Sequence, residues 1–189
     1  MDKKNFLIEY FQTQSSLLLE QKNSIQDLLN IKDSIEETHN RGKKTMIFGN
    51  GGSAAIASHF SVDLTKNAKK RCTNYNESDL ITCFSNDYGY EKWIEKAVEF
   101  YGDKDDNIIL ISSSGKSTNM VNAAKKARER KFAKIITFTG HEKNNPLMSL
   151  GDINIWVNSK SYNQVENIHQ ILLLALVDLI IGKTEYPPN

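Results

Sequence analysis

The sequence predicts an α/β protein, a three-layer sandwich in which helices cover both faces of a five-stranded parallel sheet. Strand-like and helix-like segments alternate after Gly42, which is the pattern of repeated βα units. Residues 108–111 (Ile-Ile-Leu-Ile) and 135–138 (Ile-Ile-Thr-Phe) are largely apolar runs, as expected for strands that are covered on both faces. Segment 48–53 (Phe-Gly-Asn-Gly-Gly-Ser) reads as a strand that turns sharply into a helix.

A helical hairpin is expected before the sheet. In residues 5–40, apolar side chains recur at three- and four-residue steps, which is typical of amphipathic helices. Two helices with a break near residues 23–24 explain the pattern, and Ser24 is a candidate cap of the second. Because residues 1–41 must cover their apolar stripe against the sheet domain, residues 42–189, or against another subunit, we expect them to take part in oligomerisation.

The elements of the sheet domain follow from the same periodicity. Strands are predicted at 44–49, 80–84, 107–112, 133–139 and 153–157. Helices are predicted at 53–66, 90–101, 117–130 and 162–181. In open parallel sheets, ligands bind beyond the carboxyl ends of the strands. The functional site is therefore expected in the segments that directly follow the strands.

The composition and charge of the chain limit the kinds of partner that we expect it to bind. The chain has 189 residues, and its 24 Lys and Arg nearly balance its 23 Asp and Glu, so no nucleic-acid or membrane partner is expected. Cys72 and Cys83 are the two cysteines, and they lack the spacing of a metal motif. With no apolar leader segment recognisable in the first residues, a cytoplasmic location is predicted.

The first segment of interest is Asn50, Gly51, Gly52 and Ser53, after the first strand. Adjacent glycines let the backbone approach a ligand, and the free N–H groups of a helix's first turn favour an anion. These residues are candidates for phosphate binding, although a βα turn that binds nothing is the alternative. The pattern matches neither Gly-x-Gly-x-x-Gly nor the P-loop, so no nucleotide cofactor is expected.

A second candidate segment follows the third strand. Its hydroxyls, in a loop that opens into a helix, would form a donor-rich cup for a phosphate. The candidates are Ser112, Ser113, Ser114 and Ser117. A polar loop without a ligand is again the alternative. Asn86 and Asp87 follow the second predicted strand, where they would either contact the ligand or cap the next helix.

Two pairs of titratable residues occur on predicted helices. His59 and Asp63 are four residues apart, and Glu166 and His169 are three apart, so each pair shares a helical face. Such pairs are often plain surface contacts. A metal held jointly by both helices is the functional alternative.

Four motifs together resemble the SIS-domain phosphoheptose isomerases. They are residues 49–55 (Gly-Asn-Gly-Gly-Ser-Ala-Ala), 59–60 (His-Phe), 86–90 (Asn-Asp-Tyr-Gly-Tyr) and 111–117 (Ile-Ser-Ser-Ser-Gly-Lys-Ser). The resemblance implies a flavodoxin-like SIS domain, a homotetramer, and the interconversion of sedoheptulose 7-phosphate and mannoheptose 7-phosphate for the heptose of lipopolysaccharide or capsule. It also implies a phosphate between the serine loop and residues 50–53, with residues 86–87 nearby.

The resemblance further implies catalytic and zinc-binding residues on two helices. The family places a His and a Glu on the first, and a Gln and a His on the last. Here His59 matches, Asp63 replaces the Glu, Glu166 replaces the Gln, and Leu174 stands where the catalytic His is expected. His59, Asp63 and Glu166 are thus the predicted catalytic residues and the predicted ligands of zinc, and Glu166 is also a predicted substrate contact.

Two functions remain open from the sequence. The first is an aldose–ketose isomerase that works through an enediol and needs a base over the reacting carbons. The alternative, favoured by Leu174 and Asp63, is a non-catalytic SIS protein that binds a sugar phosphate or a protein partner and regulates it.

Overall fold

The computed structural model describes residues 2–187 and contains the predicted parallel sheet. Its strands, in chain order, are β1 (Thr45–Gly49), β2 (Cys72–Thr73), β3 (Asn107–Ser112), β4 (Lys134–Thr139) and β5 (Ile153–Trp156). Their order across the sheet is β2-β1-β3-β4-β5, and every neighbouring pair is parallel. The predicted α/β class is confirmed.

Seven α-helices accompany the sheet in the described chain. They are α1 (Lys3–Glu20), α2 (Ile25–Asn40), α3 (Gly52–Lys66), α4 (Ser78–Tyr88), α5 (Trp93–Tyr101), α6 (Thr118–Glu129) and α7 (Tyr162–Ile181). Short 3-10 turns occur at Gln21–Ser24 and Met148–Leu150.

The strand predicted at 80–84 is wrong. These residues belong to α4, and the strand in question is the two-residue β2. Leu80, Ile81 and Phe84 pack partly against the core, and their one- and three-residue steps place them on one helical face. A two-residue edge strand is too short to leave a period-2 pattern, so the longer apolar segment after it was mistaken for the strand.

The helical hairpin is confirmed as α1 and α2, separated by the 3-10 turn. Ser24 occupies the N-cap position of α2 as predicted, but its side chain makes no cap hydrogen bond, and its hydroxyl instead donates to Gln21 Oε1 at 3.4 Å. Only Leu17 of α1 is buried. Phe6, Leu7 and Phe11 are exposed, so α1 presents an apolar stripe that the rest of the described chain leaves uncovered.

The two faces of the sheet have separate hydrophobic cores. Ile47, Ile109 and Ile136 face a layer formed by α2, α3 and α7, whereas Met46 and Ile108 face a layer formed by α5 and α6. Successive side chains of a strand point to opposite faces, so each central strand contributes to both cores. This two-sided burial is why these strands read as continuous apolar runs.

Helix α7 is the one helix of residues 2–187 that is long and apolar enough to cross a membrane, with a mean hydropathy of 1.5. Val165, Ile168, Leu172 and Leu173 of this helix are buried in the core. A helix packed against the sheet in this way needs apolar residues for the fold itself. Its composition is therefore explained by its place in the sandwich.

A buried carboxylate secures the amino ends of β1 and β3. Asp106 is 0% exposed and accepts hydrogen bonds from Lys44 Nζ at 2.6 Å, Lys44 N at 3.0 Å and Asp103 N at 2.9 Å. Lys44 Nζ also donates to the exposed Asp103 at 3.0 Å. Burying a charge is tolerated when it is paired and hydrogen-bonded in this way, so Asp106 fixes where the two strands begin.

Candidate functional site

A polar cavity of about 130 Å³ lies at the carboxyl edge of the sheet, between β1 and β3. Its lining residues are Asn50, Ser53, Ile111, Ser112, Ser113, Ser114, Ser117, Tyr162 and Glu166. The chain reverses its winding here, because β1 is flanked by β3 on one side and by β2 on the other. This is the switch point at which ligands of doubly wound sheets bind.

The serine loop forms one wall of the cavity. Ser112 Oγ and Ser117 Oγ are 3.1 Å apart, and Ser114 Oγ accepts a hydrogen bond from Lys116 N at 3.2 Å. Ser113 is 5% exposed, and its buried hydroxyl has no hydrogen-bond partner among residues 2–187. A buried hydroxyl without a partner is costly, so the Ser113 hydroxyl is a ready donor for a bound group.

The glycine turn and the start of α3 form the opposite wall. Gly51 has a φ of 55°, a conformation that side chains disfavour. A side chain at position 52 would collide with the Glu166 carboxylate, so the glycine there lets α7 approach the first turn of α3. Ser53, buried in that turn, lines the cavity beside Glu166. The free N–H groups of the α3 N-terminus thus lie at the cavity, where they favour an anion.

Glu166 brings a carboxyl group into this cavity. Burial raises the pKa of Glu166 above its ordinary value, and a hydrogen bond from Ser53 partly offsets the rise. None of the described residues that line the cavity is Lys or Arg. The donors available to an anion are therefore hydroxyls, amides and backbone N–H groups.

His59 and Asp63 form a pair on α3. His59 Nε2 lies 3.2 Å from Asp63 Oδ2, and His59 Nδ1 lies 3.1 Å from Gln170 Nε2 on α7. Asp63 Oδ1 also accepts a hydrogen bond from Asn67 at 3.2 Å. The imidazole is thus held from both sides, with its carboxylate neighbour on one nitrogen and an amide on the other.

The three predicted zinc ligands do not come together. Glu166 lies against the first turn of α3, whereas His59 and Asp63 lie further along that helix and face Gln170. Residues 2–187 contain no group of three or more His, Cys, Asp or Glu side chains placed to hold a metal ion. In the arrangement observed, this donor set does not fit a zinc site.

Asn86 and Asp87 lie outside the cavity lining. They are exposed at the end of α4, where Asn86 Nδ2 donates to Asp87 Oδ1 at 2.9 Å. They were expected after a strand and before a helix, and they cap no helix because the segment before them is itself helical. The same motif reaches the cavity through Tyr90, whose hydroxyl donates to Asn50 Oδ1 at 3.0 Å.

Three residues of the site are not among the predicted site residues. Tyr162 lines the cavity, Tyr90 contacts Asn50, and Asn119 exchanges hydrogen bonds with Asn50. Tyr162 is the first residue of α7, Asn119 is the second residue of α6, and Tyr90 lies between α4 and α5. Asn119 closely follows the serine loop, Tyr90 belongs to the motif at 86–90, and Tyr162 begins the helix after β5, where no site segment was predicted.

His169 is a structural residue. It is fully buried, and its Nε2–H donates to the Thr139 carbonyl at 3.1 Å. Nδ1 is buried without a partner in the described chain. Burial lowers the pKa of His169 to about 4, so the imidazole stays neutral at physiological pH. It lies in the core, and not in the cavity.

This buried histidine predicts an acid-sensitive fold. In the unfolded chain His169 binds a proton near its ordinary pKa of 6.5, but in the folded chain only near 4. The unfolded state therefore binds more protons between these values, and the free energy of unfolding falls as the pH drops from 6.5 to 4, by up to about 3 kcal/mol. Urea unfolding of His169→Gln, which keeps a donor for Thr139, should show a flatter pH dependence. An unchanged slope would contradict the assignment.

Fold and site together define a class, an α/β domain with a cavity lined by hydrogen-bond donors at the switch point of a parallel sheet. Comparison with known proteins agrees with this class. The SIS domain family matches residues 9–140. A phosphoheptose isomerase of Aliarcobacter butzleri is 35% identical over 150 residues, which cover 76% of this chain and 78% of the relative. One of Buchnera aphidicola is 30% identical over 189 residues, which cover 95% and 96%.

Solved structures give the same result. A phosphoheptose isomerase of Francisella tularensis has a TM-score of 0.89 and 25% identity, with 97% of this chain and 100% of that chain covered. One of Neisseria gonorrhoeae, at 24% identity, shares the fold with a TM-score of 0.87, with 95% and 98% covered. The chain belongs to the phosphoheptose isomerase family of SIS-domain proteins.

Proposed function

We propose that the protein is a sugar-phosphate isomerase that interconverts sedoheptulose 7-phosphate and a mannoheptose 7-phosphate for the heptose of surface glycans. The observation that carries the proposal is the placement of an anion cavity and a His–Asp pair along one helix, α3. The cavity would hold the phosphate, and the pair would act on the carbonyl end of the same molecule.

The hydrogen-bond donors of the cavity support the proposal that it binds the phosphate group of the sugar. Ser113 offers an unpartnered hydroxyl, and Ser112 and Ser117 offer two more beside it. Helices α3 and α6 both begin at this edge, so the positive ends of two helix dipoles meet there. Hydrogen bonds from neutral donors to a charged acceptor are stronger than those between neutral groups. Phosphate is the sugar substituent that this cavity suits best.

The spacing along α3 supports a long sugar. Ser53 lies in the cavity and His59 is six residues further on, which is about 9 Å at the rise of an α-helix. In an open-chain heptose 7-phosphate, the phosphate and the carbonyl are at opposite ends of the carbon chain. Such a substrate spans the gap, whereas a triose phosphate held in the cavity would not reach the pair.

The reaction requires a proton to leave one carbon and return to its neighbour. In the proposed mechanism the Asp63 carboxylate removes the proton from the carbon next to the carbonyl, and the electron pair forms the enediol while the carbonyl oxygen gains a proton. His59, beside Asp63 and held by Gln170, gives the carbonyl oxygen this proton and then takes a proton back from the hydroxyl on the neighbouring carbon, whose oxygen becomes the new carbonyl. Reprotonation by Asp63 on the other carbon completes the isomerisation. Leu174 stands where the family's histidine is expected, so His59 takes over this step.

Three further properties belong to the proposal. A homotetramer is proposed from the family, and association is supported by the apolar stripe that α1 exposes, Phe6, Leu7 and Phe11, which a neighbouring subunit would cover. A cytoplasmic location is proposed from the family. Zinc is implied by the resemblance alone; His59, Asp63 and Glu166 as arranged supply no complete site for it, and the proposed mechanism uses no metal. The non-catalytic alternative is not favoured, because the relatives bear an enzyme's name.

Glu166 is proposed to contact the sugar next to its phosphate. Its carboxylate shares the cavity with the ligand and would repel it at short range. Replacement by Gln keeps hydrogen-bonding capacity and removes the charge, so Glu166→Gln should bind a non-reacting sugar phosphate about three- to tenfold more tightly. Calorimetry measures this, with the exposed Glu77→Gln as the matched control. Weaker binding in the variant would place the carboxylate among the groups that attract the ligand.

The proposed function is tested by comparing two ligands. Calorimetry with sedoheptulose 7-phosphate should give binding that unphosphorylated sedoheptulose lacks, and product analysis should reveal the aldose. Equal affinity for both sugars would show that the cavity does not bind the phosphate group. Binding without any product would favour the regulatory alternative.

A further inference from the structure

Asn50 of the glycine turn is held by a reciprocal pair of amides. Asn50 Nδ2 donates to Asn119 Oδ1 at 3.0 Å, and Asn119 Nδ2 donates to Asn50 Oδ1 at 2.9 Å. Asn50 lines the cavity, whereas Asn119 lies in the first turn of α6 and is 3% exposed. An amide pair of this kind is symmetric, so by itself it leaves open which side of each amide is the carbonyl.

The backbone of α6 removes the ambiguity. The N–H of Met120, which also donates to the Ser117 carbonyl at 3.0 Å, donates to Asn119 Oδ1 at 3.0 Å, and a backbone N–H is only ever a donor, so an amide NH₂ in that place would face it unfavourably. The Asn119 carbonyl oxygen must therefore lie on that side. Because Asn119 is buried, no bulk water is present to satisfy the opposite orientation. The orientation of Asn119 in turn determines that of Asn50.

Tyr90 completes the arrangement from another part of the chain. It lies between α4 and α5, and its hydroxyl donates to Asn50 Oδ1 at 3.0 Å. With Asn119 and Tyr90 as donors, both lone pairs of Asn50 Oδ1 are in use. The hydrogen-bonding group that Asn50 keeps for the cavity is the second N–H of Nδ2.

We propose that Tyr90 and Asn119 are positioning residues that hold Asn50 as a hydrogen-bond donor toward a phosphate ester in the cavity. This inference rests on the proposed function. An asparagine free to rotate would present its carbonyl oxygen to the anion part of the time, and that orientation is repulsive. The two partners exclude it, and Tyr90 in addition couples the segment between α4 and α5 to the phosphate end of the site.

The decisive experiment is a double-mutant cycle. Tyr90→Phe removes one hydroxyl from a side chain that is 54% exposed, so the fold should be unaffected. We expect the dissociation constant for sedoheptulose 7-phosphate to rise about three- to tenfold, the contribution of one hydrogen bond, and KM to rise with little change in kcat. In an Asn50→Ser background the same substitution should have no effect, because the asparagine through which Tyr90 acts on the ligand is absent. Tyr101→Phe, an exposed tyrosine on α5, is the matched control.

Each outcome separates this inference from the proposed function. A wild-type protein that binds no sugar phosphate would overturn both. A wild-type protein that binds and turns over, with Tyr90→Phe indistinguishable from it, would overturn the positioning role alone. An effect of Tyr90→Phe that persists in the Asn50→Ser background would also overturn it, by showing that Tyr90 acts on the ligand directly.

A spectroscopic readout follows the amide itself. In ¹⁵N-labelled protein, the side-chain NH₂ signals of Asn50 are identified by their loss in Asn50→Ser. Inorganic phosphate should shift them in the wild type and shift them less in Tyr90→Phe. Shifts of equal size in both proteins would contradict the proposed positioning of Asn50 by Tyr90.

Discussion

Substitution of Asp63 by Asn is expected to lower kcat for sedoheptulose 7-phosphate about 10²- to 10⁴-fold, the range that a positioned general base contributes. An amide of nearly the same shape can still contact His59 and Asn67, the two side chains that Asp63 meets at 3.2 Å. It has no basic oxygen for the proton that must leave the carbon. The loss should therefore fall on kcat and leave KM nearly unchanged.

The control for this variant is Asp79→Asn, an exposed aspartate in the first turn of α4 and outside the cavity lining. Its kinetics should equal those of the wild type. Full activity of Asp63→Asn would exclude Asp63 as the base. A change in KM alone would reassign Asp63 to substrate binding.

The largest effect on stability is expected from Asp106→Ala. The substitution leaves the partly buried Lys44 ammonium without its shortest partner, and leaves two backbone N–H groups without their acceptor. Removing one member of a buried ion pair costs about 3 to 5 kcal/mol, because the other charge stays behind. Urea unfolding followed by circular dichroism measures the difference.

Asp103→Ala provides the comparison, since Asp103 binds the same Lys44 Nζ from an exposed position. Solvent-exposed ion pairs contribute about 0 to 1 kcal/mol, so this variant should lose far less. Equal losses in the two variants would mean that burial of the Asp106 carboxylate is not what secures the amino ends of β1 and β3.

The sequence predicted the central sheet well, for a physical reason. Strands β3 and β4 are buried on both faces, and such strands need long apolar runs that are easily recognised. β2 pairs with β1 through two residues only, so it carried no periodic signal. The apolar residues of α4 resemble a short strand in the sequence, although Leu80 and Phe84 are spaced for a helix.

The site residues that directly follow a strand could be predicted from the sequence. Those that are brought together by the packing of helices could not. Ser113 and Ser53 were expected at the cavity because each follows a strand, and both line it. The separation of Glu166 from His59 depends on how α7 lies along α3, which no spacing in either helix reveals. The pairing of Asn50 with Asn119, 69 residues apart, likewise requires the folded sheet.

Asp63 is proposed to move a proton between neighbouring carbons of a sugar held by its phosphate, and His59 to move a proton between the oxygens on those carbons. Proton NMR of the purified protein with sedoheptulose 7-phosphate in deuterated water tests this proposal most directly. Aldose signals should appear together with deuterium at the carbon next to the carbonyl, and both should be lost in Asp63→Asn. A protein that demonstrably binds the sugar phosphate but shows neither deuterium exchange nor aldose product would contradict the proposed mechanism.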